Sequence, residues 1–190
     1  MCPRYVIRLN IDNNEVEHRD FSGSGITLWG SNHNRIMHNT ANGKGQLNCA
    51  GIFLRRSKAN YIISNKISST GTYGSGVSLI YSEDNELNNN EAPHSSYGIY
   101  LYASKNNTVN NNTARYNSDH DIFIDFFSPH NSIRYNIANI YIIEPRWSQV
   151  ENNAGQIKEF TVEFPDQVPI ITLSDLVDIA LHISQFILSL

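Results

Sequence analysis

The chain has 190 residues, enough to bury a continuous core as one domain. Charged residues are only 17%, and 14 basic against 18 acidic give a net charge of −4, which excludes the basic footprint of a nucleic-acid binder. No apolar run of about 20 residues is present to span a bilayer, and Met1-Cys2-Pro3-Arg4 lacks the basic-then-apolar layout of a secretory signal.

Asparagine is in excess, with 25 copies. It is poor in helix and strand interiors but suits turns and left-handed backbone angles, so many short elements joined by many turns are expected. Cys2 and Cys49 form no metal or redox spacing and read as two unpaired thiols, a disulfide between them being the alternative.

In chain order, residues 5–21 read as a degenerate first coil. Asn14 and Val16 take an Asn slot and an apolar slot relative to Val6, and Arg19 stands where a second Asn would be. Five segments then align: Gly25-Ile-Thr-Leu-Trp-Gly-Ser31, Gly51-Ile-Phe-Leu-Arg-Arg-Ser57, Gly76-Val-Ser-Leu-Ile-Tyr-Ser82, Gly98-Ile-Tyr-Leu-Tyr-Ala-Ser104 and Asp121-Ile-Phe-Ile-Asp-Phe-Phe-Ser128. Their starts lie 26, 25, 22 and 23 residues apart. Asn34, Asn60, Asn85, Asn107 and Asn131 share a later position, and Asn39, Asn65, Asn90, Asn112 and Asn136 share another. Ile36, Ile62, Leu87, Val109 and Ile133 fall between them, and Ala41, Ile67, Ala92, Ala114 and Ala138 follow.

The Ile and Leu of Gly-Ile-x-Leu are two apart and face one side of a strand. No 3.6-residue apolar period runs through a coil, which excludes helices there. One coil cannot bury its own apolar residues, so coils must stack with equivalent strands in parallel, about 4.8 Å apart. Aligned asparagines can then hydrogen-bond in ladders and hold the turns. The fold class is all-β: a right-handed parallel β-helix of about five to six coils.

After Ile142 the repeat is read as ending. Residues 1–143 are assigned to the coils and 144–190 to a C-terminal cap. In the cap, 150–155 is a turn, 157–164 a strand and 174–190 a helix. That helix would lay Leu176, Val177, Ile179, Ala180, Ile183, Phe186, Ile187 and Leu190 over the open end of the stack.

The pattern Gly-Ile-x-Leu-x-x-Ser-x-x-Asn-x-Ile-x-x-Asn, clearest in Ile99-Tyr-Leu-Tyr-Ala-Ser-Lys-Asn-Asn107 and Ile52-Phe-Leu-Arg-Arg-Ser57, resembles the NosD-like, carbohydrate-binding and sugar-hydrolase (CASH) repeats over roughly residues 11–142. The resemblance implies a pectate-lyase-like solenoid, usually exported to a periplasm or cell surface. It also implies partners such as polysaccharides, which some relatives bind or modify, or a role like that of NosD proteins in copper-site maturation. The Asp-Pro-His signature of related alginate epimerases has no copy here, Ser128-Pro129-His130 being only superficially like it. The repeated residues are structural, so they specify a fold and not a chemistry.

Chemistry is therefore sought in what does not repeat. Outward positions of the Gly-Ile-x-Leu strand give the columns Thr27, Phe53, Ser78, Tyr100, Phe123 and Trp29, Arg55, Ile80, Tyr102, Asp125. Trp29, Phe53, Arg55, Tyr100, Tyr102 and Phe123 are the expected carbohydrate platform, since aromatic faces stack on sugar rings. The competing explanation is that aromatics favour strands and pair with neighbours.

Acid-base candidates are Asp121, Asp125, Arg55 and His120. Asp119, Asp121 and Asp125 are candidate Ca²⁺ ligands. Asp121 replaces a glycine found in the other coils, though Asp is also common at turns. Met37, His38 and Cys49 are of the type Cu(I) accepts, and His94 and His120 fall in consecutive variable stretches; scattered surface histidines explain the same pattern. Asn106-Asn-Thr108 and Asn111-Asn-Thr113 match the glycosylation sequon, as an Asn-rich repeat does by chance. A binding module without catalysis is the leading expectation. A polysaccharide lyase, epimerase or hydrolase and a copper-maturation accessory are the alternatives.

Overall fold

A computed structural model describes residues 9–162, apart from Asp20 and Ser22. Short strands form three parallel sheets. The first holds β3 (Ser24–Trp29), β6 (Ala50–Arg55), β9 (Ser75–Ile80), β11 (Tyr97–Tyr102), β13 (His120–Ile124), β15 (Ile140–Ile143) and β17 (Ile157–Phe160). The second holds β1 (Asn10–Asp12), β4 (Arg35–Met37), β7 (Tyr61–Ile63), β10 (Glu86–Asn88), β12 (Thr108–Asn110), β14 (Ser132–Arg134) and β16 (Gln149–Glu151). The third holds β2 (Glu15–His18), β5 (Thr40–Gly43) and β8 (Lys66–Ser69), and continues as single bridges through Glu91, Thr113, Ile137 and Ala154. The chain is a parallel β-solenoid, and the only helix among the described residues is a single 3-10 turn at Pro145–Trp147.

Register follows the sequence repeat. Ile52 pairs with Val77 and Leu54 with Leu79, so each Ile and Leu stacks on its equivalent and is buried. Ile36, Ile62, Leu87, Val109 and Ile133 close the core from the second sheet, and Ala41, Ile67, Ala92, Ala114 and Ala138 from the third. The recurrent glycine answers to a close approach. A Cβ at Gly98 would stand 2.5 Å from the carbonyl oxygen of Asp121, and one at Gly51 would strike the Ile67 side chain.

Asparagines hold the corners. Along the first column Nδ2 donates to the next Oδ1 at 2.9, 3.0, 3.1 and 3.2 Å from Asn34 to Asn131. In the second column Asn65, Asn90 and Asn112 do the same at 3.0, 3.0 and 3.1 Å, and each gives its other amide hydrogen to a strand carbonyl one coil back. Each side chain thus satisfies a turn that buried backbone would otherwise leave open.

Two parts of the chain differ from expectation. Asn14 bonds Asn39, so it belongs to the second column; Leu9 stands at the first Asn position, with its amide on Asn34 Oδ1 at 3.0 Å, and Ile11 pairs with Ile36. Arg19 lies beyond the column. Ile11 anchors the register at this end, and Val6 lies outside the described residues.

The stack also continues past Ile142. β15 pairs with β13, β16 with β14 and β17 with β15, and Asn153 receives the Asn136 amide at 3.0 Å. The segment read as a turn therefore carries a strand and a column asparagine. The expected strand at 157–164 is described over Ile157–Phe160 and joins the first sheet. Coil shortening hid this: the second-column spacing falls from 24 residues between Asn112 and Asn136 to 17 between Asn136 and Asn153. Cys49 is a buried free thiol. Cys2 and the expected helix at 174–190 lie outside the described residues.

Candidate functional site: an aromatic face on the first sheet

The strand that buries Ile and Leu turns its alternate residues outward. Pairing carries one outward column through Thr27, Phe53, Ser78, Tyr100, Phe123, Tyr141 and Lys158. A second column runs Trp29, Arg55, Ile80, Tyr102, and at the strand starts Ser24, Ala50, Ser75, Tyr97 and His120 are paired, of which Ala50 and Ser75 are buried. From β11 onward these columns merge into a wall of rings. Tyr100 lies 5.5 Å from Phe123, Phe123 stacks on Tyr141 at 5.4 Å, and Tyr141 stacks on Phe160 at 4.7 Å. Tyr97 and His120 edge the wall, their planes within 4° and their centroids 5.8 Å apart. Tyr81 meets Tyr102 edge-on at 5.7 Å and closes the other side.

The near end is different. The Arg55 guanidinium lies 4.7 Å from the centre of the Trp29 ring, which is 59% exposed, and the Arg55 Nε is buried without a hydrogen-bond partner. Phe53 is half-buried beside it, while Ser78, flanked by Phe53 and Tyr100, is buried.

Electrostatics keep the wall neutral. Burial raises the Tyr100 hydroxyl pKa well above the ordinary tyrosine value, and the nearby Asp125 charge adds to it. Tyr97 and Tyr102 shift upward for the same first reason. Burial pushes His120 down, against the pull of Asp119. At neutral pH the face therefore offers phenol hydroxyls and a neutral imidazole, and His120 Nδ1 is buried without a partner.

The two aspartates of this coil have hydrogen-bond partners within the fold. Asp125 lies past the end of β13, buried, with Oδ1 accepting from the Ala103 amide at 3.0 Å and from the Ser128 hydroxyl. Burial raises its pKa against these bonds. Asp121 Oδ1 accepts from Asn117 Nδ2 at 3.1 Å and Oδ2 from the Asn139 amide at 2.9 Å. Its carboxylate thus bridges two neighbouring turns.

Asp121, Asp125 and Arg55 do not converge. β9 and β11 separate the strand of Arg55 from that of the aspartates, roughly 14 Å along the stack. Asp119 is exposed, and no group of three or more His, Cys, Asp or Glu able to hold a metal occurs among the described residues. Tyr97, Tyr141, Phe160 and Tyr81 belong to the wall and were absent from the sequence-derived platform. Tyr141 was legible from Ile140-Tyr-Ile-Ile143 once that segment is set under Ile122-Phe-Ile124.

Fold and face together define a parallel β-solenoid with an aromatic outer surface on one sheet. The chain belongs to the NosD family, described as periplasmic copper-binding protein (NosD), whose profile matches residues 7–157. Among solved structures it is similar to a mutant of the periplasmic alginate epimerase AlgG, with a TM-score of 0.60 and 20% identity over 81% of this chain and 46% of that one. It thus spans less than half of that protein, and at this identity the likeness is one of fold. No curated protein matches the chain.

The copper in the family description finds no fitting donor set among the described residues. Met37 ends a second-sheet strand, and the neighbouring His38 gives its Nδ1 to Asp12 Oδ1 at 2.9 Å. Cys49 is buried before β6, its Sγ 3.4 Å from the Leu47 carbonyl. His94 stacks on Tyr116 on the third side, whereas His120 belongs to the first-sheet wall.

Proposed function

We propose that this chain is a periplasmic β-solenoid module that binds polysaccharide along the outward face of its first sheet. The observation that carries the reading is the unbroken contact of rings from Tyr100 through Phe123 and Tyr141 to Phe160. Pyranose rings present apolar faces that stack on such surfaces, and the tyrosine hydroxyls and Arg55 can orient hydroxyl or carboxylate groups. From Phe53 to Tyr141 the face spans four strand steps, about 19 Å, enough for a short oligosaccharide. The family description and the structural neighbour both name a periplasmic protein, and the neighbour is an alginate epimerase. No helix among the described residues is long and apolar enough to cross a membrane.

Affinity electrophoresis through gels containing neutral and uronate polysaccharides tests this. The unaltered chain is retarded by at least one polymer, and a Trp29→Ala, Tyr100→Ala, Tyr102→Ala variant is not. Equal retardation of both would end the reading.

One observation favours a second reading, that the face turns over the polymer as a lyase, epimerase or hydrolase. His120 presents an uncharged imidazole with an unpartnered Nδ1 beside Tyr97. Incubation with a panel of uronate polymers, with and without Ca²⁺, gives new products on chromatography if this holds. His120→Gln then abolishes them; an unchanged polymer rejects it.

A further inference from the structure

The third side of the solenoid carries a separate concavity. There the strand narrows to single bridges from Glu91 to Thr113 and from Thr113 to Ile137. Just past this row stand Pro93-His94 and Arg115-Tyr116, which with the bridging residues line a half-open groove of about 370 Å³. That is near the lower bound for small-ligand sites and suits one or two sugar rings.

The lining combines three kinds of group. His94 and Tyr116 lie nearly parallel, 14° between planes and 5.9 Å between centres, and Tyr116 is 77% exposed, so one face of its ring is open. Ile137, 41% exposed, adds apolar surface. Arg115 and Glu91 are both exposed, and among the described residues neither has an ion pair or a side-chain hydrogen bond. A flat ring, an unpaired guanidinium and an unpaired carboxylate in one groove match a ligand with an apolar ring face, an anion and donor hydroxyls.

We propose that this groove binds a single anionic sugar residue, its ring on Tyr116, its carboxylate on Arg115 and its hydroxyls donating to Glu91. The site is on another sheet from the aromatic wall and neither needs the other.

The test is backbone amide NMR of the full chain titrated with methyl β-glucuronide and, separately, methyl β-glucoside. The glucuronide gives saturable shifts centred on Arg115 and Tyr116, and the glucoside does not. Arg115→Gln weakens the response roughly tenfold, Tyr116→Ala removes it, and Tyr100→Ala leaves it intact. All three side chains are at least partly exposed, and retained amide dispersion shows that each variant folds. No saturable shift, equal shifts with both sugars, or a response that survives Tyr116→Ala overturns the proposal. Polymer retardation that is lost only on altering the first sheet is scored separately, so failure here leaves the aromatic face untouched.

Discussion

The inner corners and the outer face of the first sheet are built by the same operation, the stacking of equivalent residues on parallel strands, yet they leave different marks on the sequence. At the corners each Asn must satisfy fixed backbone groups above and below, as Asn112 does for the Asn90 amide and the Leu87 carbonyl. Few residue types meet that demand, chiefly Asn here and Ser at the serine corner, so they recur. On the outer face Thr27, Phe53, Ser78, Tyr100, Phe123 and Tyr141 occupy one column with no common chemistry. Folding constrains those positions less narrowly, which is why the proposed binding face is sought among them.

The largest expected effect comes from breaking a corner. Asn112→Ala strands the Asn90 amide and the Leu87 carbonyl in a dry interior and should lower stability by about 3 kcal/mol or more, read from urea midpoints. A second break is steric. Gly98→Ala drives a methyl toward the Asp121 carbonyl, 2.5 Å away, and should cost about 2 kcal/mol by the same measurement.

Changes to the outer face should reverse the ranking of stability and binding. Tyr100→Ala with Phe123→Ala costs about 1 kcal/mol per ring, together less than the Asn112→Ala change, but should weaken polysaccharide retention at least about tenfold. The smallest effect is a pH slope. Because burial lowers the folded-state pKa of His120, the unfolded chain takes up that proton more readily, and stability present above the ordinary histidine range is lost as pH falls through it. His120→Phe should make the decline between about pH 7 and pH 5 shallower; an unchanged slope places the titration elsewhere.

Much of the interior was legible because its physics is local and repeated. The Gly-Ile-x-Leu pairs and the two Asn columns fixed sheet, register and core for five coils. Legibility failed where a repeat cue was dropped. β15 lacks the leading glycine, and its coil is too short for the spacing learned upstream, so β16 and Asn153 passed for a turn. At the other end Leu9 fills an Asn position, which displaced Asn14 by one column. On the outer face Trp29, Phe53, Arg55, Tyr100, Tyr102 and Phe123 were found by alternation alone. Tyr97 and His120, one step before the glycine position, depend on where the strand begins, which the repeat does not encode. Asp121 and Asp125 read equally well as site or structure, and the amide bonds they accept from Ala103 and Asn139 account for the structural half.

The most direct test is amide NMR mapping of the chain titrated with oligosaccharides of a polymer that retards it. Shifts confined to the first sheet, from Ser24–Trp29 and Ala50–Arg55 through Tyr97–Tyr102 and His120–Ile124 to Ile140–Ile143, are predicted. Shifts centred on the second sheet, or spread evenly over the solenoid, would contradict a glycan-binding outer face.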